Sequence, residues 1–224
     1  MKVPRHIALI PDGNRRWAKE KGLEPWEGHK VGIELFKDFL DWCYDLGIEE
    51  ITAYSLSKEN LERRTPGEVK FLFKLYEGGF RELLSSPKVI DREVRVSFAG
   101  NLEPFPKSLR KLISDVEAKT GKFQKRRLNL CLNYSGRGEI LRAVEGLVKS
   151  GKDVTEGNLE DFLQVKTAPD LLIRTAEHRI SNFLLWQCAY SEIYFTGKLF
   201  PDFTHEDFMQ AVEQFAKTKR RYGK

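Results

Sequence analysis

Short apolar runs alternate with amphipathic helical stretches along the whole chain, and that rhythm constrains the fold more than any single motif. The apolar runs occupy 7–10, 51–56, 94–99, 128–132, 170–174 and 193–195. Between them, apolar residues recur every three or four positions. Ile33, Phe36, Leu40 and Cys43 do so in 29–46, with Gly47 as a stop. Val69, Leu72, Phe73, Tyr76, Phe80 and Leu83 form a second stripe, and Leu109, Leu112, Ile113 and Val116 a third. A further helix is predicted over 139–148. A last one begins near Thr204, where Asp207 completes a capping-box-like pair, and presents Phe208, Ala211, Val212 and Phe215. Such βα alternation predicts an α/β fold: a mostly parallel central sheet of about six strands, flanked by helices on both faces. Functional residues should then collect beyond the C-terminal ends of the strands. Without a repeat, long linker or compositional break, 1–224 reads as a single domain.

Composition narrows the function classes. The chain is 41% hydrophobic and 12% aromatic, enough for a substantial core and unlike a disordered protein. The net charge of +5 sits in 217–224, which holds five basic residues and no acid; the rest balances at 33 basic and 33 acidic residues. A broad nucleic-acid face is therefore not implied, and no nucleic-acid partner is expected. No apolar run approaches the roughly 20 residues of a membrane span, and the first residues reach His6 and Asp12 too soon for a secretory signal. Cys43, Cys131 and Cys188 are odd in number and widely spaced, which argues against disulfides or a cysteine zinc site and fits a reducing cytoplasm. Residues 146–152 have phosphate-loop spacing, but Asp153 stands where Ser or Thr is required and the stretch follows a helix, so it reads as a helix end and turn. Gly136 and Gly138 lack the third glycine of a dinucleotide fingerprint and read as a tight turn that brings Arg137 near an anion site.

The polar residues at strand ends carry the chemistry. A strand at 7–10 and a helix starting at 14–19 leave Pro11, Asp12 and Gly13 as the joint between them. Open N–H groups at a helix start, together with the forks of Arg15 and Arg16, suit a phosphate. Asp12 would repel that anion unless a cation bridges the two, which points to a metal-diphosphate; a surface turn with solvated charges is the competing reading. The loop from Ser57 to Arg64 belongs to the same sheet edge. Ser57 and Asn60 there either orient a substrate or cap a helix, and Arg63 suits another phosphate. His29, at a helix entrance, is either a site residue or structural. After the 170–174 strand, Arg174, Arg179 and Ser181 could converge on one diphosphate, or Glu177 could pair with either arginine. His178 is a ligand or a linker, and Glu192, just before the last strand, a salt-bridge partner or a magnesium ligand. Three anion-handling segments suggest two phosphorylated ligands. Phe36, Phe39, Leu40, Phe73, Tyr76 and Phe80 could wall lipid parts of those ligands, although most should be ordinary core.

Asp12-Gly13-Asn14-Arg15-Arg16-Trp17, Ser57-Lys58-Glu59-Asn60, Arg174-Thr175 and Arg179-Ile180-Ser181-Asn182-Phe183 occur in this order over almost the full chain. In them the sequence closely resembles the cis-prenyltransferases, the undecaprenyl diphosphate synthase family. The resemblance implies sequential condensation of an allylic diphosphate primer, farnesyl or geranylgeranyl diphosphate, with isopentenyl diphosphate to a long-chain Z-polyprenyl diphosphate. It implies the family's non-Rossmann α/β sandwich with a hydrophobic tunnel, Mg2+ as cofactor, a homodimer, and peripheral membrane contact at product release. Asp12 becomes the central catalytic and metal-binding residue, with Ser57 and Asn60 organising the reacting pair. Gly13, Asn14, Arg15, Arg16, Trp17, His29 and Arg63 become the allylic diphosphate site. Arg174, Arg179 and Ser181 become the isopentenyl diphosphate site, joined by Arg221 and Gly223 of a C-terminal Arg-X-Gly motif reaching from the partner subunit. Glu192 and His178 match metal-side positions. Leu61 stands where many relatives have tryptophan, and 174–177 is one residue shorter than the usual stretch; both traits, with the basic end, look similar to archaeal members. A noncatalytic isoprenoid-binding or accessory subunit is the alternative within the family.

Overall fold

All six apolar segments become strands of one sheet, and every pairing in it is parallel. The computed structural model describes residues 1–218. In chain order the strands are β1 (His6–Ile10), β2 (Glu50–Ser57), β3 (Val94–Ala99), β4 (Arg126–Tyr134), β5 (Leu171–Thr175) and β6 (Glu192–Thr196). The helices are α1 (Asn14–Glu20), α2 (Pro25–Asp45), α3 (Lys58–Arg63), α4 (Pro66–Ser85), α5 (Pro87–Asp91), α6 (Lys107–Thr120), α7 (Gly136–Ser150), α8 (Glu156–Glu160) and α9 (His205–Lys217). Most elements fall where periodicity puts them. The 58–64 stretch, read as a loop, instead forms helix α3, because the Ser57 hydroxyl accepts the Asn60 N–H and caps it. The 136–138 glycines likewise open α7 rather than a free turn, with Ser135 as cap. Residues 146–151 end α7, as the failed phosphate-loop match requires. The Thr204–Asp207 capping box forms, and a second one, Thr65 with Glu68, starts α4.

The strand order is β3-β4-β2-β1-β5-β6. Chain connections leave β1 toward β2 and leave β5 toward β6, so neighbouring strands β1 and β5 form a topological switch point. A crevice opens outside the C-terminal ends of such a pair. Alternating side chains divide the core. Ile7, Leu9, Ile51, Leu128, Leu130, Leu132 and Ile173 share one buried cluster with Phe39 of α2, Leu72 and Phe80 of α4, Leu109 of α6 and Phe208 of α9. Ala8, Ile10, Tyr54, Cys131 and Leu172 belong to a second cluster with Val165, Phe183 and Leu184. Among the described residues no helix is long and apolar enough to cross a membrane.

Candidate active site

At the switch point Ile10 of β1 pairs with Arg174 of β5. The ladder therefore delivers Asp12, two residues past Ile10, beside an arginine that leaves a buried strand. Arg174 Nη2 donates to Asp12 Oδ2 at 2.8 Å, with the arginine side chain 3% and the aspartate 39% exposed. Its Nη1 donates to the Ser181 hydroxyl at 2.6 Å and to the Arg179 carbonyl. Burial pulls the Arg174 pKa down and Asp12 opposes this, which is why the guanidinium needs so many acceptors. The other Asp12 oxygen, Oδ1, accepts its neighbour's Gly13 N–H at 2.6 Å. Thr175 holds the main chain here: its hydroxyl accepts the Asp12 N–H at 2.9 Å and lies 2.7 Å from the Asp12 carbonyl, to which it donates.

Helix α1 starts at once after Gly13, whose φ of 105° makes the tight turn, and no side chain caps its first N–H groups. Asn14 is turned away from that opening: its amide donates to the Pro11 carbonyl at 3.0 Å, and its Oδ1 is buried without a partner. α1 can lie so close to α2 because α2 carries Gly28 and Gly32 opposite Asn14; a Cβ on either would fall 1.9 Å and 2.1 Å from Asn14 oxygens. Arg15 pairs with Glu68 at 3.3 Å, while Arg16 meets Glu177 at 3.1 Å. Glu177 also holds Arg179 at 2.7 Å, and the Arg179 charge, followed by that of Arg16, keeps its carboxyl below the usual range.

His29 stands on α2 with Nε2 3.3 Å from Arg64 Nη1. A guanidinium only donates, so Nε2 accepts and the proton sits on Nδ1. Burial, then the Arg64 and Arg15 charges, push the His29 pKa down to about 4, and the ring is neutral at pH 7. The unfolded chain takes up this proton near 6.5, the folded chain only near 4. The contribution to stability is thus complete above pH 6.5 and falls as pH drops toward 4. His29→Asn should shrink the loss of urea midpoint between pH 7 and pH 5; equal losses in variant and wild type would refute the assignment.

These groups ring the mouth of a cavity of about 1300 Å³. Arg15, Arg16, Arg63, Arg64, Arg137, Arg174 and Arg179 all line this end, and Arg63 and Arg137 make no ion pair among the described residues. Behind the mouth the wall turns apolar, with Ile33, Phe36 and Leu40 of α2, Leu72, Tyr76 and Phe80 of α4, and Leu128, Leu130 and Leu132 of β4. Such a site suits a strongly anionic head and a long hydrocarbon tail. The loop closing the mouth is conformationally costly, with left-handed backbone at Ala176, Ser181, Asn182 and Leu184. Asn182 pins it: its amide donates to Glu59 at 3.0 Å and to the Ser135 hydroxyl at 2.8 Å, while its Oδ1 accepts the Arg137 N–H.

Asp12, Gly13, Arg15, Arg16, His29, Ser57, Asn60, Arg63, Arg174, Arg179 and Ser181 are thus brought together around one mouth, where Asn14 also lines the wall although its side chain is turned toward α2. Three expected residues are not. Trp17 faces elsewhere, its indole donating to Asp202 at 2.8 Å. His178 is exposed, its ring 5.6 Å from that of Phe195. Glu192 pairs with Leu171 as the first residue of β6, at the sheet edge opposite Asp12, so the two acids of one chain do not share an ion. Arg221 and Gly223 lie outside the described residues. Sequence reasoning gave Thr175 and Asn182 no role beyond their place in the motifs and missed Glu68, for which the Thr65-x-x-Glu68 spacing was an available signal.

Residues 10–223 match the family described as "Putative undecaprenyl diphosphate synthase". The chain belongs to this family. Its cis-prenyltransferase relatives match over nearly the whole length. One is the "tritrans,polycis-undecaprenyl-diphosphate synthase (geranylgeranyl-diphosphate specific)" of Methanopyrus kandleri, 42% identical over 100% of this chain and 86% of its own. Another is the "isoprenyl transferase" of Thermotoga maritima, 43% identical over 100% and 98%. Among solved structures, lavandulyl diphosphate synthase from Lavandula x intermedia in complex with dimethylallyl diphosphate superposes with a TM-score of 0.90, at 35% identity over 99% of both chains. The reaction of this cis-prenyltransferase is therefore the head-to-tail condensation of isoprenoid diphosphates into a polyprenyl diphosphate. The arginine-ringed mouth and apolar cavity have the shape and charge that such substrates call for.

Proposed function

We propose that this chain extends geranylgeranyl diphosphate, in preference to farnesyl diphosphate, by successive additions of isopentenyl diphosphate to a long-chain Z-polyprenyl diphosphate. The observation that carries the long-chain reading is the cavity of about 1300 Å³ running from the arginines into an apolar interior. The primer preference draws on the Methanopyrus relative's designation. Gly13, Arg15, Arg16, His29 and Arg63 receive the allylic diphosphate, with Arg64 added from the structure. Arg174, Arg179 and Ser181 receive isopentenyl diphosphate, aided by Arg221 and Gly223 of the partner in a homodimer.

Asp12 lies between the two groups. It is one half-exposed carboxylate, and no cluster of three or more metal-ligating side chains occurs among the described residues. That donor set fits Mg2+, which binds through one or two carboxylates, substrate phosphates and water rather than a protein cage. When bound, the ion supplies charge neutralisation at the departing diphosphate. The arginines orient both diphosphates and take up the charge that grows as the allylic C–O bond breaks. The apolar wall excludes water, so the isopentenyl double bond forms the new carbon–carbon bond instead of losing the allylic centre to hydrolysis. A proton then leaves the former isopentenyl unit. Both Asp12 oxygens already accept hydrogen bonds, which favours the departing diphosphate as acceptor over Asp12 or an Asn60-held water. Ser57, spent partly on capping α3, and Asn60 position the pair from the mouth. A cytoplasmic setting with peripheral membrane contact completes the proposal; the three free, buried cysteines support the reducing compartment.

The test is product analysis with isopentenyl diphosphate, Mg2+ and each of the dimethylallyl, geranyl, farnesyl and geranylgeranyl primers. Geranylgeranyl diphosphate should give the highest kcat/KM and Z-configured products many units long. Single-condensation products from every primer would overturn the long-chain reading, and an equal or higher kcat/KM for farnesyl diphosphate would overturn the primer preference.

A further inference from the structure

The cavity has a second end, and it is charged. From Asp12 the space follows the strands back toward their N-terminal edge, reaching Tyr44 of α2, Val89 of α5, Val94 at the start of β3 and Leu128 near the start of β4. Along α2, the distance from His29 at the mouth to Tyr44 at this end is about 22 Å at 1.5 Å per residue. Asp41, one turn before Tyr44, accepts from Lys88 Nζ at 2.6 Å and from Arg92 Nη1 at 2.7 Å. Arg92 Nη2 continues to Asp45 at 2.8 Å. The Arg92 guanidinium also lies over the Tyr44 ring, 5.7 Å from its centroid. Asp41, Lys88 and Arg92 themselves line the cavity. They tie α2 to the segment after α4 and so bar the way out between the two.

Solvent reaches this clasp from outside: the Lys88 and Asp45 side chains are 68% and 70% exposed, those of Asp41 and Arg92 only 26% and 22%. The charges thus stand between water and an apolar wall. Well-packed apolar residues would close a cavity end equally well, so packing alone does not call for charges here. Charges do something hydrocarbon cannot: an arriving apolar tail offers Asp41 and Arg92 no hydrogen bonds, and displacing their partners and water is unfavourable. Short of that point the wall is mostly apolar, with the Lys37–Glu82 pair one turn nearer the mouth, and each added unit gains burial against its apolar part.

We propose that the Asp41–Lys88–Arg92 clasp is the length stop of this enzyme, the contact against which the tail of the growing polyprenyl chain arrests. The inference rests on the long-chain reading above and names the residues that set its end point. A tail meeting the intact clasp ceases to be extended; a tail meeting a broken one passes between α2 and α5 and grows on.

The experiment is product-length analysis of the full-length protein with geranylgeranyl and isopentenyl diphosphates at saturation. Asp41→Ala, which removes the shared acceptor, should shift the main product upward by at least one isoprene unit, with the first condensation unchanged. Asp41→Asn and Arg92→Ala should shift it the same way and serve if the alanine variant folds poorly. Glu49→Ala, breaking the exposed Arg5–Glu49 pair, is the control and should leave length unaltered. Wild-type lengths in all three clasp variants, even with lowered Tm, would show the clasp to be only a strut and overturn the proposal. A wild type that makes no product beyond one condensation would overturn the long-chain reading, and the stop with it.

Discussion

Asp12→Asn is expected to lower kcat about 10²–10³-fold at saturating substrates, the magnitude typical of losing one preorganised electrostatic group. The substitution keeps the shape of the side chain and removes its charge. One of its terminal atoms becomes an amide donor, yet both positions now accept, one from the Gly13 N–H and one from Arg174 Nη2. A donor would therefore face a donor, and Arg174 would lose its counter-charge. The stability cost should stay near 1–2 kcal/mol, because Arg174 keeps Ser181 and the Arg179 carbonyl as acceptors. Circular dichroism and Tm should thus show a folded protein that barely turns over. Turnover within tenfold of wild type would remove Asp12 from the centre of the reaction.

The second large effect comes from a residue that touches no substrate. Gly28→Ala would place a methyl group 1.9 Å from the Asn14 carbonyl oxygen, a main-chain atom that cannot swing aside. α1 must then move off α2. Overpacking of this kind costs about 2–3 kcal/mol, lowering Tm by roughly 4–12 °C in a chain of this size. The displacement also carries Asp12, Arg15 and Arg16 with it, and a shift near 1 Å at a reacting centre costs on the order of 10²-fold in rate. Glycine to alanine ordinarily favours a helix, so a variant as stable and active as wild type would mean that α1 and α2 do not meet in this way. Gly67, at the start of α4 with nothing within 4 Å of an added Cβ, provides the contrasting substitution.

The strands were legible because each is a short apolar run that must be covered on both faces, and a parallel sheet covers them. Helix α3 was not. Its six residues carry no core-facing stripe, and it exists through the Ser57 cap, which the sequence offered only as one of two readings. Sheet order was not legible either, since it depends on which helices cross which face, and nothing local in the sequence records that. Glu192 stands apart from the mouth for a different reason. It precedes a strand, and in a parallel sheet the start of every strand lies at the edge away from a site built on strand ends. The rule that gathered Asp12, Ser57 and Arg174 would have separated Glu192 from them. Thr175 and Asn182 were read as motif members without a role, because their work is to hold main chain, and a bond to main chain leaves no pattern in residue spacing.

Leu128, Leu130 and Leu132 reach the cavity as alternate residues of one strand, about 6.6 Å apart. On the proposed reading, the product slides over a rail of one repeated side chain along this strand. On such a rail each advance resembles the last, and the strand contributes no memory of how many units have been added. On that reading, counting is left to the two ends of the cavity.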